Sequence, residues 1–283
     1  MKRKILVILS STVILPFVVK ANSVGAPLSF YSADLFTDVS GGWTITANMD
    51  KALKSRDRIR FGVGAMDAKT TVLGKGTNIN FGFGTDPDRA LSFTTGWDYW
   101  RFPGNISGNY FEALIMDGSV TQASQRYMIT MEPVVRALHF VKALPLPANE
   151  TIVASAGLRL SNTFYITERT SIGVGGEESR YEGDPTTMQI IFKLLRASGN
   201  APFISSLVQS RYYLEYAYAF PGSTLTFGFD QTKTVLDPNK FAPSLYVNFD
   251  HTLSDAWGIQ GSLGTTRLDT DGWFASVGFT YFH

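Results

Sequence analysis

The chain contains three histidines, His139, His251 and His283, and no cysteine. Without thiols it has no disulfide and no thiolate metal site. A histidine two residues before a serine on one strand would set a general base and a nucleophile on the same face. None of the three is followed by serine at that spacing. Asp250 directly precedes His251, so on a strand the two side chains point to opposite faces and make no dyad. His251 is expected instead near the end of a strand, at an interface. Asp86 with Asp88 and Asp269 with Asp271 are paired carboxylates in turn-like sequence. Two carboxylates fall short of the roughly six to eight oxygens a calcium site needs. No catalytic residue, metal or cofactor is expected, and the chain is read as not an enzyme.

The other ionisable residues of interest are Arg58, Arg60, Asp98, Arg211, Glu215, Asp230 and Asp250. Each stands on the polar side of a segment that alternates. In Trp43–Met49 the odd positions are apolar and the even ones polar. Ile59, Phe61, Val63 and Ala65 alternate with Arg58, Arg60, Gly62 and Gly64. Ile79, Phe81 and Phe83 alternate with Asn78, Asn80, Gly82 and Gly84, and Leu91, Phe93, Trp97 and Tyr99 oppose Ser92, Thr94, Gly96 and Asp98. Tyr212–Tyr218, Leu225–Phe229, Leu245–Phe249 and Ile259–Leu263 repeat the pattern. A period of two is the signal of a strand with unlike faces. A soluble sandwich also alternates, but its polar face meets bulk water and usually carries many Lys and Glu. Here that face is Gly, Ser, Thr, Asn and Gln with a few charges, and lysines 51, 54, 69, 75, 233 and 240 fall between the alternating runs. Small polar residues suit a narrow barrel interior, and Phe61, Phe81, Phe93, Phe227 and Phe249 are expected to face lipid.

The ends of the chain point the same way. Lys2, Arg3 and Lys4 precede an apolar run from Ile5 to Val19, and Val19-Lys20-Ala21 suits a signal peptidase. That run is shorter than the roughly 20 residues a spanning helix needs. Residues 1–21 are read as a signal peptide, with the mature chain 22–283 beginning at Asn22. Cleavage removes Lys2, Arg3, Lys4 and Lys20, leaving 21 of the 25 bases against 24 acids. This near-balance gives no reason to expect a nucleic-acid partner. At the other end, Ser276-Val277-Gly278-Phe279-Thr280-Tyr281-Phe282-His283 resembles the C-terminal signature of Gram-negative outer-membrane β-barrel proteins: a polar residue, a glycine, an aromatic and a terminal aromatic or apolar residue. His283 stands where that class usually ends in Phe. The resemblance implies location in the cell outer membrane, and contact with its lipids and lipopolysaccharide. It also makes Ser276, Gly278, Tyr281 and His283 an assembly signal read by the barrel-assembly machinery. It identifies no specific family.

An all-β, transmembrane, antiparallel up-and-down β-barrel is therefore expected, with about 12 strands (10 to 14) at about 20 residues per strand and connection. Phe220–Ser223, Thr85–Asp88 and Leu253–Trp257 look like tight turns at one end, and 231–242 and 267–272 like longer loops at the other. The pattern weakens over 103–208. Glu132–Leu144, with Pro133 early and Arg136, His139 and Lys142 on one helical side, can be drawn as a helix or a strand, as can Met188–Leu195. Short helices in 130–200 are allowed for. Arg58, Arg60, Asp98, Arg211, Glu215 and Asp230 become candidate pore-lining residues, because charge on the lipid face is penalised. Their mixed signs predict either weak ion selectivity or mutual pairing that fills the interior. The expectation is a small, porin-like channel for passive passage of small polar solutes. The alternative is a closed structural or surface-binding barrel, resembling a solitary autotransporter barrel, without transport. A third class, a lipid-active enzyme of unfamiliar arrangement, has no motif in its favour.

Overall fold

The computed structural model describes residues 29–38, 42–53, 55, 57–67, 75–86, 89–103, 110–141, 150–183, 208–234, 241–266 and 273–283. The sequence positions proposed as signal peptide, and the Met188–Leu195 stretch, lie outside these residues. The described chain forms 14 strands: β1 Phe30–Asp38, β2 Trp43–Ala52, β3 Arg58–Asp67, β4 Lys75–Gly84, β5 Leu91–Pro103, β6 Tyr110–Ala123, β7 Tyr127–Val141, β8 Glu150–Tyr165, β9 Thr170–Glu182, β10 Val208–Phe220, β11 Ser223–Thr234, β12 Ala242–Ser254, β13 Trp257–Thr266 and β14 Trp273–Phe282. Every strand pairs with its neighbours in sequence, and β1 pairs antiparallel with β14 from Phe30–Phe282 to Asp38–Phe274, closing the barrel. Closure leaves no unpaired strand edge, the condition a sheet must meet to cross a bilayer.

Fourteen strands stand in place of the expected 12. The difference lies in 103–208, where β6, β7, β8 and β9 fill sequence whose alternation is blurred. Among the described residues there is no helix. Glu132–Val141, drawn above as a possible helix, belongs to β7, so Arg136 and His139 face opposite sides rather than one. Pro133 was the misleading residue. It has no N–H to donate, and the β6–β7 ladder lapses around it between Asp117–Val134 and Val120–Met131. Its other neighbour, Leu158 on β8, stays in register.

The outer face is a continuous apolar surface. Phe61, Phe81, Phe93, Phe227 and Phe249 all lie on it, exposed, with Ile45, Ile79, Leu160, Leu214 and Leu263 among others. Exposed apolar area on this scale exceeds what a water-soluble monomer carries, so the fold is that of a membrane β-barrel. Aromatics gather towards both rims. Trp257 packs on Tyr281 with ring centres 4.9 Å apart, and Tyr31 stacks on Tyr281. At the opposite rim Tyr212 meets Phe241 and Tyr110 meets His139 edge-on. Such girdles mark the two membrane interfaces.

The connections also sort by end. Residues 53–57, 85–90, 124–126, 166–169, 221–222 and 255–256 join strands at the end where β1 begins and β14 finishes. The opposite end carries 68–74, 104–109, 142–149, 183–207, 235–241 and 267–272, with the short 39–42. The three tight turns read from sequence share the first end. Pro221-Gly222 shows why such a turn is short: Gly222 has φ of 72°, the left-handed conformation a type II turn requires after proline.

Candidate functional site

The candidate site is the lumen, built from the side chains that alternate with the lipid-facing set. Arg58, Arg60, Asp98, Arg211, Glu215, Asp230 and Asp250 all take inward positions in their strands. Two of them meet directly: Arg211 Nη2 lies 3.0 Å from Asp230 Oδ2 across the β10–β11 pair. Arg58, Arg60, Asp98 and Glu215 have partners that local sequence did not reveal. Arg58 pairs with Asp50 at 2.5 Å, and Arg60 approaches the same carboxylate at 3.8 Å. The Tyr246 hydroxyl donates to Glu215 at 2.6 Å. Asp98 accepts from Asn78 Nδ2 and from Trp100 Nε1.

The strongest polar assembly stands on β7, β8 and β9, the region where sequence reasoning failed. Arg136, 1% exposed, donates to Glu177 and to Ser179 Oγ. Arg159 clamps the same Glu177 at 2.7 Å through Nε and reaches Glu132 at 2.6 Å through Nη1. Four ionised groups thus alternate in sign along three strands, each countercharge within direct contact. A buried guanidinium is tolerable only with such pairing. A signal did exist: Glu132, Val134, Arg136 and Leu138 share parity, as do Arg159 with Ser161 and Glu177 with Ser179.

Above this network, toward the long-loop end, inward positions turn apolar. Met66, Trp100, Phe102, Phe111, Leu138, Val153 and Phe274 are all buried. Trp100, Phe102 and Phe111 run in series with ring centres 6.3 and 5.8 Å apart. These residues form an apolar collar. Below the collar, the wall of β3, β4 and β5 is thin. Gly62, Gly64, Gly82, Gly84 and Gly96 occupy inward positions on β3, β4 and β5, and the side chains of Asn48, Asn78 and Asn80 lie over the first two.

The histidines are placed away from the lumen. His139 faces outward near the long-loop rim, between Glu112 at 3.3 Å and Glu150 at 2.7 Å. His251 faces outward at the short-turn rim, as expected, stacked on Phe249, with Nδ1 2.8 Å from Ser223 Oγ. This Ser–His contact is a cross-strand pair, Ser223 opposite His251, invisible to a search by sequence spacing. Among the described residues no carboxylate bonds to His251, so nothing orients the ring as a catalytic triad would. The C-terminal residues play a structural part in closure. Ser276 bonds Ser262, and Gly278 sits beneath Asp34 and Gln260 where a side chain would collide.

No family model and no curated protein matches this chain in sequence. Solved structures do share its fold. It superposes on the CymD monoaromatic hydrocarbon channel with a TM-score of 0.52 at 10% identity, covering 90% of this chain and 88% of that one. The KdgM porin aligns with a TM-score of 0.45 at 8% identity over 88% and 98% of the two chains. A mutant of the Rh. blastica porin aligns at 0.39 and 9% identity over 90% and 99%. At 10% identity the likeness to CymD is one of fold alone.

Proposed function

We propose that the protein is a small outer-membrane channel for passive passage of small polar solutes, and that it is not an enzyme. One observation carries this reading. Arg159, inward near the middle of β8 and bonded to two carboxylates, keeps a side chain 40% exposed, so the centre of the barrel holds space that water can occupy. A water-accessible lumen lined by Ser, Thr, Asn and ion pairs offers polar solutes a path through the hydrocarbon layer. The CymD monoaromatic hydrocarbon channel shares this fold. In this reading residues 1–21 direct export, the short-turn end faces the periplasm, and the long loops face outward. The final strand with Ser276, Gly278, Tyr281 and His283 engages the barrel-assembly machinery. The outer face contacts membrane lipid and lipopolysaccharide.

The apolar collar favours a second reading, a closed barrel whose interior is filled and whose loops do the work. Planar-bilayer recording separates the two. The channel reading expects discrete conductance steps from the purified, folded protein, and swelling of loaded liposomes in small sugars. Folded protein that gives neither result leaves the closed barrel standing.

A further inference from the structure

Charge pairing in the lumen is one-sided. Among inward residues with described side chains there are nine carboxylates and five guanidiniums. All five arginines, 58, 60, 136, 159 and 211, are held in ion pairs. The carboxylates left without an arginine are Asp34, Asp98, Asp117, Glu215 and Asp250. Four of these, all but Asp250, lie near the middle of their strands, β1, β5, β6 and β10, on both sides of the barrel. Three of the four are held by neutral donors: Asp34 by Gln260, Asp98 by Asn78 and Trp100, and Glu215 by Tyr246. Such donors orient a carboxylate without cancelling its charge.

A second observation concerns neutral oxygens. Asn78 is 3% exposed, and neither its Oδ1 nor that of Asn80 accepts a hydrogen bond. Both amides lie beside Asp98, over the glycine floor of β3. Acceptor oxygens in excess of donors, next to carboxylates lacking a countercharge, make this wall attractive to a positive group.

We infer that the lumen passes cations, and small solutes bearing an ammonium group, in preference to anions. A ring of carboxylates imposes such preference by raising the local concentration of counterions where field lines are confined. The inference rests on the channel reading and replaces the weak selectivity expected from three bases set against four acids.

The test is a reversal-potential measurement on the full-length mature protein in a planar bilayer, with potassium chloride at unequal concentration on the two sides. The expected result is a potassium permeability above that of chloride by at least about threefold. Asp98→Asn with Asp117→Asn should bring the ratio more than halfway to one. Should that pair fail to fold, Asp117→Asn alone should give a smaller shift of the same sign. An open pore with equal or anion-favouring permeability overturns the inference and leaves the channel standing. Folded protein without conductance overturns both.

Discussion

Two walls of one barrel solve the problem of an aqueous interior differently. Along the middle of β3 to β5 the inward face is mostly glycine and asparagine, with Asp98 held by neutral donors and with Arg58 and Arg60 sharing Asp50 toward the short-turn end. Along β7 to β9 it is a chain of charge, Glu132–Arg159–Glu177–Arg136, ending on Ser179. The first wall keeps space and leaves Asp98 without an arginine. The second fills space and balances charge by direct contact. An ion pair in low dielectric loses its stability when one partner goes, whereas a carboxylate held by neutral donors has no countercharge to lose.

The largest test of that contrast is Arg136→Ala. It leaves Glu177 buried with Arg159 as its remaining partner, and should cost about 3–5 kcal/mol in reversible urea unfolding from lipid vesicles. Asp98→Asn, on the thin wall, should change the same midpoint little. A small effect at Arg136 would mean that the paired wall does not hold the barrel.

Phe227→Arg probes the outer face shared by both walls. It should cost about 2–4 kcal/mol near the midplane, read by the same unfolding titration. If the variant folds as well as its parent, Phe227 does not face hydrocarbon.

Filling the thin wall should block rather than unfold. A side chain at Gly82 would meet the Thr95 carbonyl at 3.2 Å and Arg60 Cβ at 3.6 Å, contacts a small shift relieves. Gly82→Leu should then lower single-channel conductance by about half, since interior bulk decides whether a small barrel conducts. Unchanged current would move the path away from β4.

The smallest effect is expected from Arg58→Ser with Arg60→Ser, which strips both bases from Asp50. Conductance should rise slightly and tilt further toward cations, because positive potential leaves while the carboxylate stays. A tilt toward anions in the reversal potential would contradict the inward placement of both arginines.

The strands of the thin wall were legible because their two faces differ so much. Large apolar residues such as Phe81 and Phe83 alternate with glycine and asparagine, and a period of two follows from strand geometry without reference to neighbours. The tight turn at Pro221-Gly222 and the closing strand Trp273–Phe282 were equally local in their signals. The paired wall was not legible, because both of its faces are apolar where it reaches the collar. Met131 and Val135 point out while Val134 and Leu138 point in, so the alternation disappears and Pro133 invites a helix. The inward positions of Arg58, Arg60, Asp98, Arg211, Glu215 and Asp230 follow from strand parity alone.

The sequence by itself determined which faces meet lipid, where the chain turns, and that a barrel results, since each depends on contacts within a few residues. Only the tertiary structure decided that 14 strands close the ring and which charges are cancelled. Arg136 and Glu177 are 41 residues apart in the chain and meet through the registers of β7 on β8 and β8 on β9. Those registers are set by the summed packing of whole strands, so the charge balance of the lumen is a property of the closed sheet and of no segment of it.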